Sequence, residues 1–158
     1  MFISLDTDKS EGDVETQIVL PLLRNQEMLG VDLKCIRSKE HFRPIDLDKG
    51  SSKKKGYYPD FGVFIDALPV CIIEAKSPVN DVAEGYREAA LYALELNKKF
   101  ESGVNPCQCL IATNGVELYA GYWDSQAAIK CHVSELAVGS KTLAEPVSYT
   151  HLTLPTKA

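Results

Sequence analysis

The sequence predicts an α/β fold in which a mixed central sheet is flanked by helices. Three observations carry that expectation. Residues 11–29 and 81–100 repeat apolar side chains with the period of an α-helix. Between and after them lie short apolar runs bounded by turn residues, as strands are. The resulting order is helix, strand, hairpin, helix, hairpin, which stops short of a full βαβαβ winding. A chain of 158 residues is the right size for one domain with its own core.

The first helix opens at Ser10, whose hydroxyl can cap it, and Glu11 and Asp13 fill the first turn, where the helix dipole favours acids. Val14, Ile18 and Leu22, followed by Met28 or Leu29, form its apolar stripe. Pro21 is expected to kink or split the helix and Gly30 to end it. Val31 to Arg37 alternates apolar and polar residues and reads as a strand. Residues 38–57 read as a polar loop containing Lys53, Lys54 and Lys55. Residues 59–66 and 70–76 form two strands joined by a turn at Ala67-Leu68-Pro69. In the second of these, Val70-Cys71-Ile72-Ile73 is apolar on both faces and suits a central strand.

Asn80 or Asp81 caps a second helix that runs to Phe100, with Val82, Tyr86, Ala89, Ala90, Ala93, Leu94 and Leu96 as its packing face. Gln108 to Thr113 is a further buried strand. Asn114-Gly115 is the strongest hairpin signal in the chain, with Val116 to Tyr122 returning beside it. Ala127 to Val133 is a last strand.

The charge balance narrows the function classes. At a net charge of -5, the chain lacks the basic footprint of a passive DNA-binding module. Clustered carboxylates, which a divalent metal site needs, pull the charge in the same direction. No apolar run is long enough to span a bilayer and Met1 to Ser10 is not a secretory signal, so the expected location is cytoplasmic, with no membrane partner. Five cysteines, an odd number, then read as reduced thiols. Cys107 and Cys109 alternate along an apolar strand, with no second pair at metal-ligand spacing, and are read as packing residues.

The last segment, Val147 to Ala158, reads as the in-frame translation of a transposon-end sequencing adapter. The expectation is one domain over residues 1–146 that belongs to a longer protein, and a non-native tail over 147–158. His151 is accordingly kept out of any site.

The chemistry centres on Asp60, Glu74 and Lys76. Side chains alternate along a strand, so Glu74 and Lys76 point to one face, and Asp60 opens the neighbouring strand beside them. Two carboxylates converging at a strand end make an oxygen site for Mg²⁺, to which the Ala75 carbonyl can add. Hydrolysis of a phosphodiester needs an activated water, a Lewis acid and stabilisation of the leaving oxygen. A metal supplies the last two, and Lys76 can orient the water, help to deprotonate it or neutralise developing charge. The competing reading is a structural ion pair of Lys76 with the two acids. Glu74 directly follows an apolar run, where a carboxylate is costly unless paired or metal-bound.

Tyr58-Pro59-Asp60 followed by Ile73-Glu74-Ala75-Lys76 resembles the signature of the PD-(D/E)xK nucleases. The likeness is greatest to the N-terminal domain of the cleavage subunit of type I restriction enzymes and covers Glu11 to about Trp123. It includes Glu15-Thr16-Gln17, Leu20-Pro21-Leu22-Leu23 and Ala112-Thr113-Asn114-Gly115. The resemblance implies a restriction-endonuclease-like fold, with Asp60 and Glu74 as metal ligands and Lys76 as the catalytic lysine. It places Glu15 near the metal; a plain helix-dipole acid is the other reading. The family's Gln-x-x-x-Tyr motif appears here as Glu88-Ala89-Ala90-Leu91-Tyr92, with Glu in place of Gln. Glu88 and Tyr92 are thus candidate supporting or DNA-contacting residues, and Tyr92 reads equally as a core aromatic. Lys53, Lys54 and Lys55 either contact DNA phosphates or form a solvated loop.

The function implied is a Mg²⁺-dependent endodeoxyribonuclease, with Mn²⁺ as a substitute ion, that cuts double-stranded DNA in restriction-modification. Its implied partners are a motor region further along the protein and the methylation and specificity subunits of a restriction complex. No Gly-x-x-x-x-Gly-Lys-Ser/Thr loop is present, so ATP is expected to act only through that motor. Two alternatives remain: a nuclease of repair or recombination from the same superfamily, and a catalytically silent module that binds DNA or protein.

Overall fold

The computed structural model describes residues 2–26, 28–38, 45–48 and 53–136, with the backbone alone described for 45–48 and 53–57. The tail at 147–158, with His151, lies outside the described residues. Six strands form a mixed sheet in the order β1 (Ile36–Ser38), β4 (Phe61–Ile65), β5 (Leu68–Ala75), β6 (Cys109–Thr113), β7 (Glu117–Tyr122), β8 (Ile129–His132). Neighbours are antiparallel except β5 and β6, which run parallel and are linked through the helix α3 (Val82–Asn97). A parallel pair needs such a crossover, whereas hairpins join the antiparallel pairs.

The sheet is covered on both faces, each with its own core. On one face the N-terminal helix packs Val14, Ile18, Leu22 and Leu23 against Val63, Ile73 and Ile111. On the other, α3 packs Ala89, Tyr92, Ala93 and Leu96 against Ile72 and Leu110. Strand β5 serves both: Cys71, Ile73 and Ala75 belong to the first core and Ile72 to the second. This is the two-sided burial that the apolar run predicts.

The N-terminal helix begins as expected, with Ser10 in a capping box with Asp13. Its interior is a composite of α1 (Glu11–Val14), a π-helical turn over Glu15–Val19 and α2 (Leu20–Arg24). Pro21 explains the widened turn. It has no N–H to donate, and its ring crowds the carbonyl four residues back, so the ladder loosens just ahead of it and the Leu20 N–H reaches the Glu15 carbonyl instead. The helix then stops at Arg24, earlier than the expected end at Gly30. Asn25 turns extended, and Gly30, at φ 57°, donates to the Asn25 carbonyl in a separate turn.

Three further boundaries differ from the sequence expectation. The strand expected over 31–37 begins as a 3₁₀ turn, Leu33–Cys35, because Asp32 accepts from the Lys34 N–H, and only Ile36–Ser38 pairs with β4. The polar loop expected over 38–57 contains a small second sheet of β2 (Ile45–Asp48) and β3 (Lys53–Tyr57). Ile45-Asp46-Leu47-Asp48 alternates apolar and polar, but its partner Lys53-Lys54-Lys55-Gly56-Tyr57 does not, and backbone pairing does not require that it should. The β4–β5 turn falls at Asp66-Ala67, one residue early, with both residues left-handed at φ 49° and 66°, as a tight hairpin of right-twisted strands requires.

Asp81 caps α3 through the Ala83 N–H. The packing face of α3 includes Glu88 and Tyr92, which the stripe read from sequence omits, while Leu94 is exposed. The helix end is clamped to the sheet by Asn97. Its side chain donates to the Cys107 carbonyl at 3.0 Å and accepts from the Cys107 N–H at 2.9 Å, both in the interior. The β6–β7 hairpin is longer than the two-residue turn that Asn-Gly suggests. Thr113 pairs with Leu118, Gly115 alone is left-handed, and the Asn114 side chain accepts from the Val116 and Glu117 N–H groups.

Candidate functional site

The site is built where β5 leaves the sheet. The β4–β5 register pairs Phe61 with Ile73, and one further step sets Asp60 opposite Glu74. Asp60 lies just before β4, and its Oδ2 accepts from the Ala75 N–H at 2.8 Å. On the other side of β5, the Lys76 N–H continues the ladder to the Thr113 carbonyl at 2.9 Å. Backbone pairing thus holds Glu74-Ala75-Lys76 from both sides, with a carboxylate standing in where β4 has ended.

Two groups of side chains meet there. The first belongs to the N-terminal helix: carboxylate oxygens of Glu11, Glu15 and Asp60 all lie within 4.8 Å of one another. Asp60 is only 6% exposed. Three carboxylates so close are mutually repulsive without a cation, and an all-oxygen donor set, one member of it buried, matches what Mg²⁺ or Mn²⁺ takes. The residues present therefore fit a hard divalent ion. Glu11 is absent from the sequence-derived ligand set, although it stands four residues before Glu15 and so on the same helical face. Glu74, expected as a ligand, lies outside this group.

The second group lies under α3. Glu74 is 1% exposed and shares the face of Ile72. Lys76 forms an ion pair with Glu88 at 2.8 Å, with side-chain exposures of 17% and 5%. Burial alone pushes the Lys76 ammonium towards a lower pKa. The hydrogen bond and charge of Glu88, with the charges of Glu74 and Glu84, outweigh it, so the net shift is upward. Lys76 is therefore held as a cation, which suits stabilising negative charge. Tyr92 is fully buried, and its phenol is pushed up by burial first and then by the charges of Glu74 and Tyr58. It sits in the core of the α3 face.

The sequence thus named the residues of one sheet end, and the structure gathers them in two groups. Asp60 and Glu15 join Glu11 of the N-terminal helix; Lys76 pairs with Glu88 under α3, with Glu74 and Tyr92 beside that pair. Lys53, Lys54 and Lys55 form part of β3, but their side chains lie outside the described residues. Cys107 and Cys109 are buried packing residues, with burial pushing the Cys107 thiol well up.

A mixed sheet between two helical layers, with acids and a lysine gathered at the end of its central strand, defines an α/β protein with a charged cluster at one sheet end. The family model for the N terminus of type I restriction enzyme R proteins matches residues 45–125, just over half of the chain, and the chain belongs to that family. The same fold is found in a fragment structure assigned to the HsdR subunit of a type I restriction enzyme from Vibrio vulnificus YJ016. The TM-score is 0.54 at 19% identity over 94% of this chain. The chain spans 26% of that structure's length. No curated protein matches the sequence. Among the described residues, no helix is long and apolar enough to cross a membrane.

Proposed function

We propose that this domain is a divalent-metal-dependent endonuclease acting on double-stranded DNA, as the nuclease module of a type I restriction R subunit. The observation that supports it best is the convergence of the buried Asp60 with Glu11 and Glu15 at the same sheet end as Glu74 and the Lys76 cation. Family membership favours restriction over repair or recombination. A silent binding module is the weaker reading, because three acids held together and a buried ion pair weaken a scaffold that has no ion to bind.

In this reading Asp60 and Glu15, with Glu11 beside them, would hold Mg²⁺ or Mn²⁺, with Glu74 as a further ligand. The bound ion supplies Lewis acidity at the phosphate and charge neutralisation at the leaving oxygen. Asp60, fixed by the Ala75 N–H, sets where the phosphate is met. Lys76, held protonated, places positive charge beside the attacked phosphate and orients the water.

With a net charge of -5, the chain offers duplex DNA little electrostatic attraction, so delivery falls to other parts of the enzyme. That role fits an ATP-driven motor region in the same protein and the methylation and specificity subunits of a restriction complex. The test is plasmid cleavage by the full chain with Mg²⁺ and with Mn²⁺, beside the Lys76→Gln variant. Weak, salt-sensitive nicking, strongest with Mn²⁺ and lost in the variant, is expected. Equal cutting by the variant would falsify the catalytic role. Efficient cutting at physiological salt would instead favour a free-standing nuclease.

A further inference from the structure

We propose that α3 carries a two-residue cradle for Lys76, in which Gly85 gives its side chain room to cross the helix and Glu88 anchors its ammonium. Both are positioning residues, and the reaction they serve rests on the nuclease reading above.

Gly85 and Glu88 are three residues apart and so lie on one helical face, the face that α3 turns to the sheet. Both are buried. A methyl group on Gly85 would sit 3.1 Å from Lys76 Cγ and 3.7 Å from its Cε, with Ala112 Cβ at 3.6 Å. The stem of Lys76 therefore lies directly against the helix at the one position without a side chain. Beyond Gly85 the ammonium meets Glu88 at 2.8 Å. The backbone of Lys76 is fixed at the other end by its bond to the Thr113 carbonyl.

A lysine side chain has four rotatable bonds and loses much freedom when held. Here both ends are fixed and the middle has a slot of its own. A glycine costs stability in a helix interior, so a solely structural helix is better served by alanine there. Likewise, a buried ion pair is weak evidence of stability, since apolar residues of similar volume serve as well. Together, the glycine and the buried acid are accounted for by the path of Lys76.

The cradle is tested in the full chain by Gly85→Ala, Glu88→Ala and Glu88→Gln, with three readouts. In metal-free buffer, heteronuclear NMR follows the Lys76 ammonium. Thermal melting reports stability. Single-turnover cleavage with saturating DNA and Mn²⁺ reports function. Gly85→Ala is expected to melt no lower than the parent, yet to shift the ammonium signal and slow cleavage about tenfold, as the loss of one well-placed charged contact does. Glu88→Ala is expected to lose the signal to solvent exchange and to slow cleavage at least as much. Glu88→Gln retains an acceptor at the same place and should recover most of both. An ammonium signal unchanged in Gly85→Ala and Glu88→Ala overturns the cradle, as does parent-rate cleavage by both. A parent that cuts no DNA, while the ammonium responds as described, overturns the nuclease reading and leaves the cradle standing.

Discussion

The two faces of the sheet end carry different chemistry, although the same strand feeds both. On the N-terminal helix side, three carboxylates crowd together with Asp60 as the buried member. On the α3 side, each buried acid has a cation near it: Lys76 pairs with Glu88 and feels the charge of Glu74. The first arrangement gathers oxygen donors of the kind a divalent ion takes. The second is compensated already and suited to holding a lysine still. Ala75, between Glu74 and Lys76, connects them, since its N–H is the donor that Asp60 accepts. The sheet end thus carries an acid trio and a paired lysine side by side, joined through the backbone of Ala75.

The largest expected effect falls on Lys76. Lys76→Gln should reduce cleavage about a hundred- to a thousandfold, as does removal of a charge that stabilises a transition state. Because the ion pair is mostly buried, Lys76→Ala should also destabilise the chain, by about 3 kcal/mol, through the Glu88 carboxylate left behind. Combining it with Glu88→Gln should recover much of that loss in thermal melting. A Lys76→Ala variant as stable as the parent would mean that the α3 side is open to water.

Metal binding separates the faces directly. Calorimetry with Mn²⁺ should show a site that Asp60→Ala removes and that Glu11→Gln and Glu15→Gln weaken. If Glu74→Gln proves as damaging as Asp60→Ala, then the ion draws equally on both faces and the division drawn above is too sharp.

Two substitutions test how rigidly α3 is held over its face. Asn97→Ala removes both bonds to Cys107 and leaves buried backbone groups unsatisfied, so a loss of about 3 kcal/mol is expected by denaturant unfolding. Gly121→Ala would bring a methyl group to 2.7 Å from the Tyr86 hydroxyl and 2.9 Å from the Ala128 nitrogen, which requires backbone movement. A loss of about 1–3 kcal/mol is expected. Neither change touches the acid cluster, so Mn²⁺ binding should persist in both while they remain folded.

The smallest effect concerns the start of the N-terminal helix. The backbone and side-chain hydrogen bonds from Ser10 hold the Asp13 carboxyl below its ordinary value of 3.8. A lowered folded-state pKa contributes stability that is present above the unfolded value and lost as pH falls through the folded one. The contribution is small because Asp13 is exposed to water. Asp13→Asn should flatten the melting temperature slightly between neutral pH and about pH 3. An unchanged acid limb would show that the capping box does not steady the acids that follow it.

How much of this was legible in the sequence differs by element. Helix starts were, because Ser10 and Asp81 act on N–H groups two or three residues away. The central strand was, because Cys71, Ile72 and Ile73 leave no polar face. Asp60, Glu74 and Lys76 could be brought to one strand end by alternation and register alone. Helix ends were less legible: Pro21 widened a turn and the chain left the helix at Asn25, where packing rather than propensity decides. The pairing of β2 with β3 was not read, since Lys53-Lys54-Lys55-Gly56-Tyr57 offers no apolar alternation to match that of Ile45-Asp46-Leu47-Asp48.

By itself, then, the sequence determined the α/β plan of a sheet between helices, the residues gathered at the end of β5 and the family they resemble. These follow from periodicity and local hydrogen bonding, which act over a few residues. Only the tertiary structure decided which residues share a face with which. It brought Glu11 to Asp60 across 49 positions of chain, left Glu74 outside that trio, and laid Lys76 over Gly85 to meet Glu88. Such choices depend on how whole helices seat on the sheet, and a seating is fixed by the packing of a complete core rather than by any segment's own preferences.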